Sequence, residues 1–141
     1  IPFIALLVFL TAFPAHAECY DWPLRVSDQG TVAYDGNSIN IMMPGLSPEL
    51  EKMSVRVNGV DTPEIKGKCD AEKELAVKAR DYVIDAMIKA DKVWFCRPKW
   101  GKYAGRVVAD VMVDGTLLSE MLIGNGLGRP YGGGKREEWC E

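Results

Sequence analysis

Arg56, Asp61, Thr62 and Glu64 fall within nine positions of the stretch VRVNGVDTPEIKGKC, beside Pro63. These are parts that phosphodiester hydrolysis uses. The transition state gathers negative charge on phosphoryl oxygens, and a guanidinium offers paired, permanently charged donors to them. A hard cation such as Ca²⁺ takes oxygen ligands from carboxylates and carbonyls and polarises the phosphoryl group. A positioned carboxylate accepts a proton from attacking water. Arg106 offers a second guanidinium near the start of a later strand. The same residue types also suit an ordinary surface turn, and spacing alone does not separate the two readings.

The elements around these residues set how they are held. KMSVRVNGV alternates, with Met53, Val55 and Val57 on one side and Ser54 and Arg56 on the other. This predicts a half-buried strand with Arg56 on its polar face, ended by Asp61-Thr62-Pro63 because proline cannot donate to a ladder. Two strands precede it, around residues 31–34 and 38–43, with Asp35-Gly36-Asn37 as their turn. A long helix follows from Asp70 to Lys89, with Leu75, Ala79, Val83 and Met87 recurring every four residues and Asp70 as its N-cap. KVWFC and GRVVADVMV are the fourth and fifth strands. TLLSEMLIGNG is a short helix capped by Thr116, and RPYGGGKREEWCE is an irregular tail pinned through Cys140. The order β-β-β-α-β-β-α predicts a β-rich α+β domain built on a small closed barrel of five strands.

Composition narrows the chemistry. With 141 residues, 48% apolar and 26% charged, the chain suits one ordinary globular domain. Residues 1–17, IPFIALLVFLTAFPAHA, hold no Lys, Arg, Asp or Glu and end in Ala15-His16-Ala17. They read as a secretory signal peptide, truncated at its start and cut after Ala17. Residues 18–141 are then one periplasmic or secreted domain without stable membrane association. Cys19, Cys69, Cys96 and Cys140 form no CxxC pair, so two disulfides are expected rather than zinc. The only histidine is His16, inside the expected signal. Histidine-dependent triads and histidine-ligated metals are therefore excluded for the mature chain. A formal net charge of −3 argues against a generic DNA-coating protein. Local basic clusters remain: Lys92, Arg97, Lys99, Lys102 and Arg106 interleaved with Trp100 and Tyr103, and then Arg129, Tyr131, Lys135 and Arg136.

Residues 35–131 resemble the staphylococcal nuclease (thermonuclease-like) family. The resemblance rests on DGNS, VRVNGVDTPE, KYAGRVVADVMVDG and LSEMLIGNGLGRPY, with Gly105-Arg106 about forty residues after Glu64. The tail PYGGGKREEWC resembles exported bacterial members. The resemblance implies an OB-fold barrel and a monomeric, Ca²⁺-dependent nuclease acting on DNA and RNA and leaving 3′-phosphates. By position, Asp61 resembles a carboxylate ligand to Ca²⁺ and Thr62 a carbonyl ligand. Glu64 resembles the residue that orients or deprotonates water, and Arg56 and Arg106 resemble the phosphate-binding arginines. Lys102, Tyr103 and Tyr131 lie where family residues contact the nucleotide, although KYAGR carries Ala104 as an extra residue. Where the family has a second metal-binding Asp, this chain has Asn37. Fewer ligand charges imply weaker Ca²⁺ binding. The alternative is a weakened or inactive OB-fold module that binds nucleic acid or a protein. Placing the tail on the family barrel favours the pairs Cys69–Cys140 and Cys19–Cys96.

Overall fold

A computed structural model describes residues 18–141; the expected signal peptide lies outside the described residues. Nine strands and two helices follow one another: β1 (Cys19–Tyr20), β2 (Ala33–Asp35), β3 (Ser38–Met42), β4 (Lys52–Val57), β5 (Val60–Asp61), α1 (Asp70–Lys89), β6 (Val93–Trp100), β7 (Arg106–Val113), β8 (Thr116–Leu117), α2 (Leu118–Gly124) and β9 (Arg129–Pro130). The result is a mixed sheet with two helices, consistent with an OB-like fold.

The main sheet runs β1-β6-β7-β4-β3-β2, with β8 beside β7. All its pairings are antiparallel except β4 with β7. The expected closure of the barrel is corrected here, because the path ends at β1 and β2 and no ladder among the described residues joins those ends. The physical reason lies in the edges. β2 is only three residues long, which leaves the far part of β3 uncovered. The arm that begins with β1 takes that place through a Leu24↔Ile41 bridge, while β1 itself pairs with β6 at Cys19↔Cys96. A short arm thus touches β6 at one end and β3 at the other without a continuous ladder between the two edges.

The core follows the alternation read in β4 and β7. Val55, Val57, Val107, Ala109 and Val111 point inward and are buried with Ile39, Ile41 and Phe95. α1 covers this core with Ala76, Ala79, Val83 and Met87, and α2 with Leu118 and Leu122. Both cap expectations need correction. α1 is preceded by Cys69 in extended conformation, and Asp70 sits inside the first turn, where its charge suits the helix dipole. The N-cap position of α2 is Leu117, with no side-chain cap bond; Thr116 lies one residue further back, and both are paired with β7 as β8. β6 also runs past Cys96 to Trp100. A register shift between Cys96 and Lys99 absorbs Pro98, which needs no N–H partner there. Arg97 takes a left-handed φ of 51° at that bulge.

Both disulfides form as the resemblance implied. Cys19 joins Cys96, and Cys69 joins Cys140. They fit an oxidising compartment. Among the described residues no helix is long and apolar enough to cross a membrane.

Candidate active site

The parallel β4–β7 pair places the two arginines. Ser54 stands opposite Arg106 and Arg56 opposite Val108, so Arg56 and Arg106 are diagonal neighbours on adjacent strands. Both occupy half-buried positions that alternate with the buried valines. They share a face of the sheet because side-chain direction repeats every two residues.

Glu64 joins them from the loop after β5. Its backbone N–H donates to Glu72 Oε2 at 3.1 Å, while the Lys68 N–H donates to Glu72 Oε1 at 3.0 Å. Glu72 is the third residue of α1 and is only 6% exposed. Its reach back over the loop resembles the glutamate half of a capping box. Gly67 makes room for it, since a Cβ there would stand 2.6 Å from the Glu72 side chain. The Cys69, Glu72 and Cys140 ligand atoms lie within 4.8 Å of one another. That cluster is no metal centre, because both sulfurs are in the disulfide and both Glu72 oxygens accept backbone N–H groups.

Arg56, Glu64 and Arg106 line one cleft of about 550 Å³ together with Lys102, Tyr103, Tyr131 and Arg136. Tyr103 is 71% exposed on its lip. Tyr131 is carried in by β9, which pairs with β5, and the Tyr131 N–H donates to the Gly59 carbonyl at 3.1 Å. The Arg56 guanidinium then lies 5.5 Å from the Tyr131 ring centroid, an arrangement that restrains the arginine. A larger cavity of about 880 Å³ opens beside β1 and β6, among Tyr20, Trp94 and Met112, and holds none of these groups.

Asp61, Thr62 and Asn37 do not line the cleft of Arg56, Glu64 and Arg106; Asp61 and Thr62 form an inner wall behind Arg136. They are 2% and 1% exposed. The turn that carries Asn37 is pressed against Thr62 and α1: a Cβ at Gly36 would meet Thr62 Cγ2 at 3.0 Å and Ala79 Cβ at 2.8 Å. Asn37 itself is 5% exposed, and its N–H donates to Asp35 Oδ1 at 3.1 Å. Burial pushes the Asp35 carboxyl above its ordinary range; the Asn37 N–H opposes this, nearby Glu64 adds to it, and Arg106 opposes it. The Thr62 hydroxyl oxygen is buried without a hydrogen-bond partner. Carboxylate, carbonyl, amide and hydroxyl oxygens are donors of the type a hard cation prefers, so Asp61, Thr62 and Asn37 fit Ca²⁺ in kind.

One residue that sequence spacing did not assign to this site dominates the wall. Arg136 donates through Nε to Asp61 Oδ1 at 2.8 Å, and another of its nitrogens lies 2.6 Å from Glu64 Oε1. The remaining Asp61 oxygen accepts from Trp139 Nε1 at 3.2 Å. Burial lowers the proton affinity of Arg136, and Asp61 followed by Glu64 more than restores it. The only signal in the sequence was membership of the second basic cluster. Both basic clusters are in fact partly spent on internal partners: Lys92 pairs with Asp21, Arg97 with Asp110 and Arg129 with Glu137.

A family model described as staphylococcal nuclease homologue matches residues 54–138. The matched span holds Arg56, Asp61, Thr62, Glu64 and Arg106, and also Arg136, but not Asn37. No curated protein matches the chain.

Proposed function

We propose, because the chain belongs to the staphylococcal nuclease family, that it is a Ca²⁺-dependent, sugar-non-specific nuclease. It hydrolyses DNA and RNA phosphodiesters and leaves 3′-phosphates. The observation that carries this reading is the shared cleft of Arg56, Glu64 and Arg106.

Arg56 and Arg106, side by side on one sheet face, bind two oxygens of the same phosphate and balance the charge that grows there. Glu64 orients water on the phosphorus and takes its proton. Its backbone N–H is held by Glu72, and its carboxylate is braced by Arg136. Exposed Tyr103 offers a stacking face to a base, and Lys102 an unpaired charge to a flanking phosphate. Tyr131 steadies Arg56. Asp61, the Thr62 carbonyl and Asn37 would hold Ca²⁺, which would supply Lewis-acid polarisation of a phosphoryl oxygen. With Asn37 uncharged, that binding is weak.

The protein acts as a monomer of one domain over residues 18–141. It is periplasmic or secreted after loss of residues 1–17 and has no stable membrane association. The two disulfides support the export.

A second reading is favoured by Arg136 lying across Asp61 and Glu64: a domain that binds nucleic acid or a protein without cutting. Incubation with plasmid DNA in Ca²⁺ or in excess chelator separates the two. Ca²⁺-dependent cutting that falls by about a hundredfold or more in Glu64→Gln supports the nuclease. Retained binding without cutting supports the module.

A further inference from the structure

The oxygens of the inner wall converge on a cation that the chain itself provides. Arg136 Nε meets Asp61 Oδ1 at 2.8 Å, one terminal nitrogen meets Glu64 Oε1 at 2.6 Å, and the other reaches the Thr62 carbonyl at 3.4 Å. Asp61 Oδ2 is held by Trp139 Nε1. We propose that Arg136 is the resident cation of the Asp61–Thr62 wall, so that a divalent ion binds there only by displacing its guanidinium. This rests on reading Asp61 and Thr62 as the cation-binding pair.

The tail that delivers Arg136 is fastened on both sides. Upstream, β9 pairs with β5, with Arg129 opposite Asp61 and Pro130 opposite Val60, so the tail starts beside the inner wall. Downstream, Cys140 is bonded to Cys69, Lys68 pairs with Glu138 at 3.0 Å, and the Glu138 carbonyl accepts from Arg129 at 2.9 Å. The Arg129 guanidinium also stands 3.8 Å from the Trp139 ring centroid. The backbone around Arg136 is therefore fixed. Its side chain is held by the contacts to Asp61, Glu64 and Thr62 alone; it already borders the cleft and is 36% exposed, so giving up those contacts would not unfasten the tail.

Charge counting gives the same answer. Asp61 and Glu64 bring two negative charges, and Arg136 cancels one of them. Asn37 adds none. A divalent ion entering with Arg136 in place would set two cations against the same lone pairs of Asp61. Exchange avoids that repulsion. The displaced guanidinium would then face the cleft that already holds Arg56 and Arg106.

The test is cation affinity in the disulfide-bonded protein, read by Tb³⁺ luminescence excited through Trp139 and by Ca²⁺ competing for the site. Arg136→Gln is expected to bind Ca²⁺ about tenfold tighter than the parent, because it removes the competing charge. Arg136→Lys, which keeps the charge, stays near the parent. Saturating Ca²⁺ raises the melting temperature of the Gln variant more than that of the parent. Equal or weaker affinity in Arg136→Gln overturns the inference, and so does a Lys variant as tight as the Gln variant. If the Gln variant is unfolded in chelator, recovery of its circular dichroism on adding Ca²⁺ reads the same competition; no recovery overturns it. Tighter binding with no cutting by either protein sinks the nuclease reading and upholds this inference. Ca²⁺-dependent cutting with equal affinities does the reverse.

Discussion

Asp35 is a buried carboxylate that lacks a full ion-pair partner, and it shows what the site costs the fold. It is 5% exposed, with its carboxyl pushed upward by burial and then by Glu64. A carboxyl whose folded pKa is raised contributes stability that is fully present below the ordinary carboxylate range and lost as pH rises through the raised value. Asp35→Asn should therefore melt a few degrees higher than the parent at neutral pH in calcium-free buffer, with the difference closing as the pH falls below the ordinary range. Thermal scans across that range check it. A variant less stable at both ends would mean that the hydrogen bond from the Asn37 N–H outweighs burial. At this scale the sequence was legible where neighbours in the chain meet in one cleft, as Arg56 and Glu64 do; Asp61 and Thr62, from the same stretch, lie outside its lining. Arg136 was not legible in the same way. It meets Asp61 across 75 positions and Trp139 does so across 78, and no local pattern encodes such a meeting.

α1 acts on the site through its first turn rather than its length. Glu72 fixes the loop that carries Glu64 by accepting two backbone N–H groups while nearly fully buried. Glu72→Ala would leave both donors without their partner and should cost about 2–4 kcal/mol in urea denaturation. Amide exchange at Glu64 and Lys68 should quicken more than in the sheet. Unchanged exchange there would mean that the disulfide at Cys69 alone fixes the loop. The helix itself was readable from its four-residue apolar repeat, and β4 and β7 from their alternation. The role of Glu72 was hidden because an acidic residue at the start of a helix usually serves only the dipole. The end of β6 was misjudged because a proline commonly stops a strand, whereas here a bulge accommodates it.

For the whole molecule, the staples matter more than the number of strands. Cys69–Cys140 closes a loop of 71 positions and holds the tail against the inner wall. Replacing both cysteines with serine should lower stability by about 2–4 kcal/mol, mainly through the freedom returned to the unfolded chain. Chemical denaturation of the oxidised parent and the variant measures it. A far smaller loss would show that β9 and the Lys68–Glu138 pair hold the tail unaided. The family and the α+β character were readable from motifs and element order. Barrel closure was not, because the lengths of the edge strands and the path of the arm after β1 depend on contacts between distant parts of the chain.

The parallel pairing of β4 with β7 has one more implication. Arg56 and Arg106 arrive on strands separated in the chain by the whole of α1 and β6. Neither hairpin alone sets them side by side; only the docked centre of the sheet does. A partly unravelled form that keeps either half intact would retain one guanidinium and misplace the other. The ability to grip a phosphate is thus tied to cooperative folding, and the molecule has no half-competent state.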